Sequence, residues 1–446
     1  MRRPMVIVAA IVGATVAAAA VAVATSAQAE PAPSAAALVV ARQTLALNDG
    51  WASSGTGTTG GSTADDAHVT VVQDRTQLAS AVASDTPKIV LVNGLIDGNV
   101  DDGGGPLTCA DYADPAYSLD AYLAAYDPAV WGRATRPTGP LEEARVRSAR
   151  NQGARINIRV GANTTIVGLG GSKMVGVNLL IDRVDNVILR NLRFEDAYDC
   201  FPAWDPTDGA LGNWNSLYDL VTVTGATHVW VDHCSFSDGN NTDDVQPVYF
   251  GRPYQVHDGA LDVIRAADLV TVSYNSFFDH DKTMLIGSSN TVGADVGKLR
   301  VTIHHNRFAN VGQRVPRVRF GQVDVYNNYF YATDEDSYSY SWGVGVFSEI
   351  YAENNMVLRS ADLPLSAFVF DWRGTAPGAI TEVGTLSRVG TGPVVPVSLV
   401  AEYNAAFDPD LPAGTWVPSL RAAPLHPTIA VQAVVTARAG AGKLGI

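Results

Sequence analysis

The sequence predicts an all-β solenoid, and three observations carry that reading. From about residue 155, short segments of like shape recur at 187–194, 229–236, 270–277, 301–308, 323–330 and 350–357. Each has apolar residues in rough alternation, the period of a strand, and closes on a large apolar side chain. The closing phenylalanines stand at Phe194, Phe236, Phe277, Phe308 and Phe330, so the period is unequal. Unequal spacing excludes a propeller or a strict array and suits stacked coils joined by loops of different length. Finally, Asn275, Asn306, Asn328 and Asn355 all fall two residues before the closing apolar position. In stacked parallel strands such asparagines form an amide ladder, each donating to the next coil, and they tolerate a left-handed bend. Leu192 and Cys234 hold that slot in the earlier coils, so the ladder begins only after them.

In chain order, residues 1–29 read as a secretory leader. Arg2 and Arg3 form its charged start, 6–23 its apolar stretch, and Ala27-Gln28-Ala29 a small-residue cleavage site. No later segment approaches ~18 uninterrupted apolar residues, so a secreted chain without a membrane span is expected. Residues 30–446 are expected to form one domain. Within it, 30–150 is a cap of loops and short helices: 38–47 and 117–126 look helical, while 53–63 and 101–105 are loops. The solenoid core is placed at 151–384, and 385–446, where the repeat is lost, is expected to wrap back along its flank or end.

The formal charge of −14 becomes two units more negative once Arg2 and Arg3 are removed, which excludes nucleic acid as a partner. Three cysteines in an exported chain allow one disulfide. Cys109 and Cys200 sit in polar, loop-like surroundings, whereas Cys234 lies inside an apolar strand pattern. Cys109 is therefore paired with Cys200, and Cys234 is left buried and free.

The chemistry concentrates in Gln313-Arg314-Val315-Pro316-Arg317-Val318-Arg319-Phe320-Gly321, with three arginines within six residues. Guanidinium groups fit carboxylates bidentately, so this reads as a clamp for an anionic ligand. Upstream lie Asp258-Gly259-Ala260-Leu261-Asp262 and Asp279-His280-Asp281-Lys282-Thr283. Acidic oxygens for a hard cation, a lysine and an arginine cluster suit a polyanionic substrate. No cysteine–histidine cluster offers a zinc or copper site. Alternation places His304 and His305 on opposite faces of one strand, which argues against a shared ion. Asp232 and His233 are read as a buried hydrogen-bonded pair that supports its coil.

These motifs, with Trp230-Val231-Asp232-His233, Val270-Thr271-Val272-Ser273-Tyr274-Asn275 and His304-His305-Asn306, resemble the polysaccharide lyase family 1 pectate lyases. The likeness runs from about Gly50-Trp51-Ala52 to the end of the chain and is nearest the bacterial extracellular, calcium-dependent branch. The resemblance implies a right-handed parallel β-helix with short flanking helices and long loops along one flank. It also implies cleavage of polygalacturonate or pectin by calcium-dependent β-elimination, by a monomer. Carried over residue by residue, it puts calcium on Asp219, Asp258 and Asp262, makes Arg314 the general base, and assigns Lys282 and Arg319 to substrate carboxylates. Asp208 becomes a candidate for a second, substrate-bridging calcium. A base role for Arg314 requires neighbouring cations to disfavour its charged form, since arginine otherwise stays protonated. Arg317 is read as a supporting arginine. The chain departs from the family at Asp324, where histidine is usual.

Three further readings are weighed against this one. A hydrolase would need acid and base carboxylates acting on water. A pectin lyase would dispense with the aspartates and line its cleft with aromatic side chains; a non-catalytic β-helix would have no use for Lys282 and Arg314 beside them.

Overall fold

The backbone turns through three strands per coil, and each strand pairs in parallel with its counterpart in the next coil. The computed structural model describes residues 33–421 and 425–446; the leader at 1–29 lies outside them. Ser34–Ile446 form one compact unit. One face is a parallel row that begins at Val69–Val72 and Lys88–Asp97 and ends at Ala379–Val383. A second row runs from Arg193–Glu195 to Leu386–Val389. The third face is an eight-stranded sheet, Asn157–Arg159, Asn178–Asp182, Val221–Thr224, Leu261–Ile264, Leu285–Ile286, Arg317–Val318, Trp342–Gly345 and Val369–Trp372 in order. This is a parallel β-helix, as expected.

The expected ladder is present. Asn275, Asn306, Asn328 and Asn355 are fully buried. Each Nδ2 donates to the next Oδ1, over 3.0, 3.1 and 3.2 Å in turn. The backbone N–H of Cys234 closes the near end, donating to Asn275 Oδ1 at 2.8 Å. The left-handed residue, however, is the one before the ladder slot: His233 before Cys234, and Tyr274, His305, Asn327 and Asn354 before the asparagines, all have φ between 50° and 57°. The closing phenylalanines stack as a column, Phe194 on Phe236, Phe277, Phe308 and Phe330, with centroids 4.7–5.3 Å apart. A period-two pattern thus puts one large apolar side chain at the same inward position of every coil.

Parallel stacking begins well before residue 151 and continues past 384. Residue 151 in fact falls inside a helix, Pro140–Ile156. Its start is well specified, with Gly139 as N-cap, Pro140 in the first turn, and Glu142 and Glu143 facing the positive helix end. The helix expected at 38–47 is shorter, Ala35–Ala41, and the other is Leu119–Tyr126, capped by Ser118. At the C-terminal end, Thr428–Arg438 packs Val431 and Val435 against Tyr329, Met356 and Leu358. Cys109 and Cys200 form the disulfide, and Cys234 is free and buried. Among the described residues no helix is long and apolar enough to cross a membrane.

Candidate active site

Outward-facing positions of the eight-stranded sheet, and the turns that lead into it, carry most of the charged motif residues. Asp219 stands two residues before the strand Val221–Thr224, and Asp262 is the second residue of Leu261–Ile264. Lys282 ends the strand Ser276–Lys282. Arg314 follows Arg307–Gln313 in a left-handed conformation with φ 61°, and Arg319 follows Arg317–Val318. Residues from neighbouring coils are thereby brought to one flank.

Asp219 and Asp262 converge at Gly259: a Cβ added there would meet both carboxylates, so only glycine fits. Asp219 Oδ1 accepts from Gly259 N at 2.9 Å and its Oδ2 from Thr222 Oγ1 at 2.5 Å. Asp262 Oδ1 accepts from Leu285 N at 2.9 Å. Asp258 is more open and faces the cations, its Oδ1 lying 3.5 Å from Lys282 Nζ and 3.8 Å from Arg314 Nη1. Among the described residues no three such side chains are already drawn together as a metal shell. The donor set nevertheless fits a hard cation. Burial, with Asp262 and Asp258 nearby, raises the Asp219 carboxyl well above its ordinary value. Burial and Asp258 push Asp262 up to about 7. Two buried carboxyls facing a third are short of positive charge, which an oxygen-liganded cation supplies.

The expected electrostatics of Arg314 need correction. Burial pulls its pKa down, but Asp258 and Asp262 outweigh burial and hold it above the ordinary value. The depression falls instead on Arg319, brought to about 10 by burial, Arg317 and Arg314, and in the same direction on Arg317. Arg314 Nε is buried without a partner among the described residues. Arg319 is held by Asn290 Oδ1 at 2.7 Å and Gly287 O at 2.6 Å. Arg317 stacks over Trp372, 3.9 Å from the ring centroid, which agrees with a supporting role. Lys282 is positioned by its neighbour: His280 Nε2 approaches Lys282 O at 3.2 Å while His280 Nδ1 pairs with Asp238 at 2.5 Å.

Asp208 is not with the aspartates. It lies exposed beside a cavity of about 810 Å³ shared with Arg136, Asp205, Asn215, Ser288 and Arg319. Asp232 is buried between Arg190 at 2.8 Å and Ser273 at 2.7 Å, with His233 Nδ1 2.7 Å away, a structural grouping as expected. His304 and His305 do touch, Nδ1 to Nδ1 at 2.8 Å, because the left-handed turn at His305 breaks strand alternation. His305 then reaches His426 at 2.9 Å, tying down the C-terminal segment. Asp324 is buried and paired with Arg421 of that segment, Nε to Oδ2 at 2.8 Å, so the departure from histidine has a partner of its own. Sequence reasoning missed Tyr340, buried beside Arg314, Arg317 and Arg319, although the run Tyr338-Ser339-Tyr340-Ser341-Trp342 next to Gly343 was a visible aromatic signal.

The comparisons agree with this geometry. The family profile described as pectate lyase matches residues 138–369. A pectate lyase of Bacillus subtilis (strain 168) is 48% identical over 414 residues, covering 91% of this chain and 94% of that protein. A solved thermostable pectate lyase superposes with TM-score 0.88 at 46% identity, covering 91% of this chain and 99% of that one. A pectate lyase bound to a hexasaccharide gives TM-score 0.85 at the same identity and coverage. With the coils, the ladder and the aspartate–arginine flank all in place, the chain belongs to the pectate lyase family.

Proposed function

We propose that the chain is a secreted, monomeric pectate lyase that cleaves polygalacturonate by calcium-dependent β-elimination, leaving unsaturated oligogalacturonides. The single observation that carries the finer reading is the juxtaposition of Asp219, Asp258 and Asp262 with Lys282 and Arg314 on one flank. A calcium ion held by those three aspartates would neutralise their charge and pair with a uronate carboxylate. Lys282 and Arg319 hold substrate carboxylates, and Arg314 takes the ring proton beside one of them. Charge that builds on the enolate-like carboxylate as the proton leaves is met by these cations, usually the largest catalytic term. Neutralising Asp258 and Asp262 would also remove the two groups that now hold the Arg314 proton in place. Asp208, near Arg319, is assigned to the substrate side of the cleft, where a bridging cation would sit.

The test is ultraviolet absorbance of the unsaturated product from polygalacturonate, with and without excess chelator. Activity is expected only with calcium, and its restoration on adding calcium back. Full activity in chelator would overturn the cation assignment, and absence of an absorbing product would overturn elimination itself.

A further inference from the structure

Arg317 and Arg319 share one face of the eight-stranded sheet. The parallel ladder runs past Arg317–Val318 to Arg319, whose N–H donates to Ile286 O at 2.8 Å. Two residues apart on an extended chain, the arginines project the same way and start roughly 7 Å from each other. The next strand, Trp342–Gly345, makes room for both. Arg317 pairs laterally with Gly343. A Cβ added at Gly343 would meet Tyr340 Cε2 at 2.8 Å and Arg317 Cγ at 3.1 Å, and one at Gly345 would meet Arg319 Cγ at 3.0 Å. Neither glycine has a positive φ, so both are needed for space and not for backbone conformation. Two glycines in one strand thus let two arginine stems lie over it.

The guanidinium groups of this cluster are not held alike. Arg314 faces Asp258 at 3.8 Å, and Arg319 is held by Asn290 Oδ1 and Gly287 O. Arg317 has only the Trp372 ring, 3.9 Å away and 36% exposed. The ring supports the guanidinium but brings no charge. Arg317 Nε is buried without a partner, and so is the hydroxyl of Tyr340. Among the described residues Arg317 makes no ion pair, since Asp258 is engaged by Lys282 and Arg314, and Asp371 by Arg373. Asp208 attracts it only from beyond ion-pair distance. A half-buried arginine beside two others, with no counter-ion of its own, is short of an anion.

We propose that Arg317 binds a free carboxylate of the galacturonate polymer, on the residue adjoining the one held at Arg319. The inference rests on the lyase reading of the flank and adds to it a second carboxylate contact, made by a side chain that Trp372 holds in place. The experiment is steady-state kinetics on polygalacturonate at saturating calcium, at low and at high sodium chloride. Wild type is measured beside Arg317→Met, which keeps the apolar stem over Gly343, and Arg317→Lys, which keeps the charge; each is first checked by thermal unfolding. At low salt, KM should rise roughly tenfold in Arg317→Met while kcat stays within about twofold, as expected for loss of one charge-assisted contact made in ground and transition states alike. Salt screens that contact in wild type, so the gap should narrow to about threefold or less at high salt. Arg317→Lys should recover part of the loss. If Arg317→Met does not fold, Arg317→Gln is read in the same way. An unchanged KM in the folded variant overturns the assignment. So does a loss that is equal at both salt concentrations and not recovered by lysine, which would leave Arg317 a packing role alone. Wild type inert on polygalacturonate would bring down the lyase reading itself, and the carboxylate contact with it.

Discussion

Replacing Asn306 by alanine probes the ladder where it is most heavily used. Asn306 Oδ1 accepts from Asn275 N at 2.8 Å and Asn275 Nδ2 at 3.0 Å. Its Nδ2 donates to Val272 O at 2.9 Å, His304 O at 3.0 Å and Asn328 Oδ1 at 3.1 Å. Alanine leaves the buried Asn275 N–H without an acceptor, at about 1–3 kcal/mol, and removes further bonds of about 1 kcal/mol each whose partners keep other contacts. The expected loss is about 3–5 kcal/mol. Asn355 is the internal control. It accepts from Asn328 N and Nδ2, but its amide donates only to Val325 O at 2.9 Å, and Thr385 follows it with an unpartnered hydroxyl. Asn355→Ala should therefore lose less. The assay is the denaturant midpoint followed by near-ultraviolet circular dichroism. An Asn306→Ala midpoint within about 1 kcal/mol of wild type, or equal to that of Asn355→Ala, would refute the ladder as a source of stability.

Arg314→Lys keeps the charge but loses the guanidinium fork; kcat should drop by about a thousandfold with little change in calcium affinity, and retention of a tenth of wild-type kcat would move the base elsewhere. A base role for Arg314 needs its neutral form, whose share grows with pH, so kcat should keep rising with alkaline pH. Arg319, at about 10, loses its charge at a lower pH, so KM should begin to climb near pH 10; a flat KM through pH 11 contradicts its carboxylate-binding role. Cys234, fully buried with its thiol pushed up to about 12, should resist alkylation until the chain unfolds. Peptide mapping without reductant should recover Cys109 joined to Cys200, and label on Cys234 in the folded protein would count against the buried slot.

Most of the solenoid was readable because its signal is repetitive: the phenylalanine column and the asparagines recur at a fixed offset within each segment. The strands Val69–Val72 and Lys88–Asp97 were missed because they precede the first ladder residue and carry no closing phenylalanine. The helix Pro140–Ile156 has little apolar periodicity; of its buried residues, Arg145, Ser148 and Gln152 are polar, so its signal lay only in the Gly-Pro start and acidic first turn. His304 and His305 show a different failure. Alternation is a rule about strands, and it does not hold across a left-handed residue. The site residues were legible by type and by resemblance, but the direction of the Arg314 shift was not. That direction depends on which charges lie nearest, and only the fold places Asp258 closer to Arg314 than sequence distance suggests.

Stability and site are set by the same strands. Asn275 stands immediately before Ser276–Lys282, whose last residue is Lys282, and Asn306 stands immediately before Arg307–Gln313, which delivers Arg314. These two strands pair in register from Ser276 opposite Arg307 to Lys282 opposite Gln313. The ladder fixes one end of each strand and the cation proposed to act in catalysis leaves from the other. A one-residue slip would turn the phenylalanines outward and move both cations together. Lys282 and Arg314 accordingly depend on a buried amide contact of 3.0 Å between Asn275 and Asn306, at the opposite end of the strands that carry them. The ladder bonds run between the coils and are directional, so they add to the phenylalanine column in resisting this slip. A loss at Asn306 should therefore reach kcat through the Lys282–Arg314 spacing even at temperatures where the fold survives, whereas the same loss at Asn355, two coils further on, should lower stability alone.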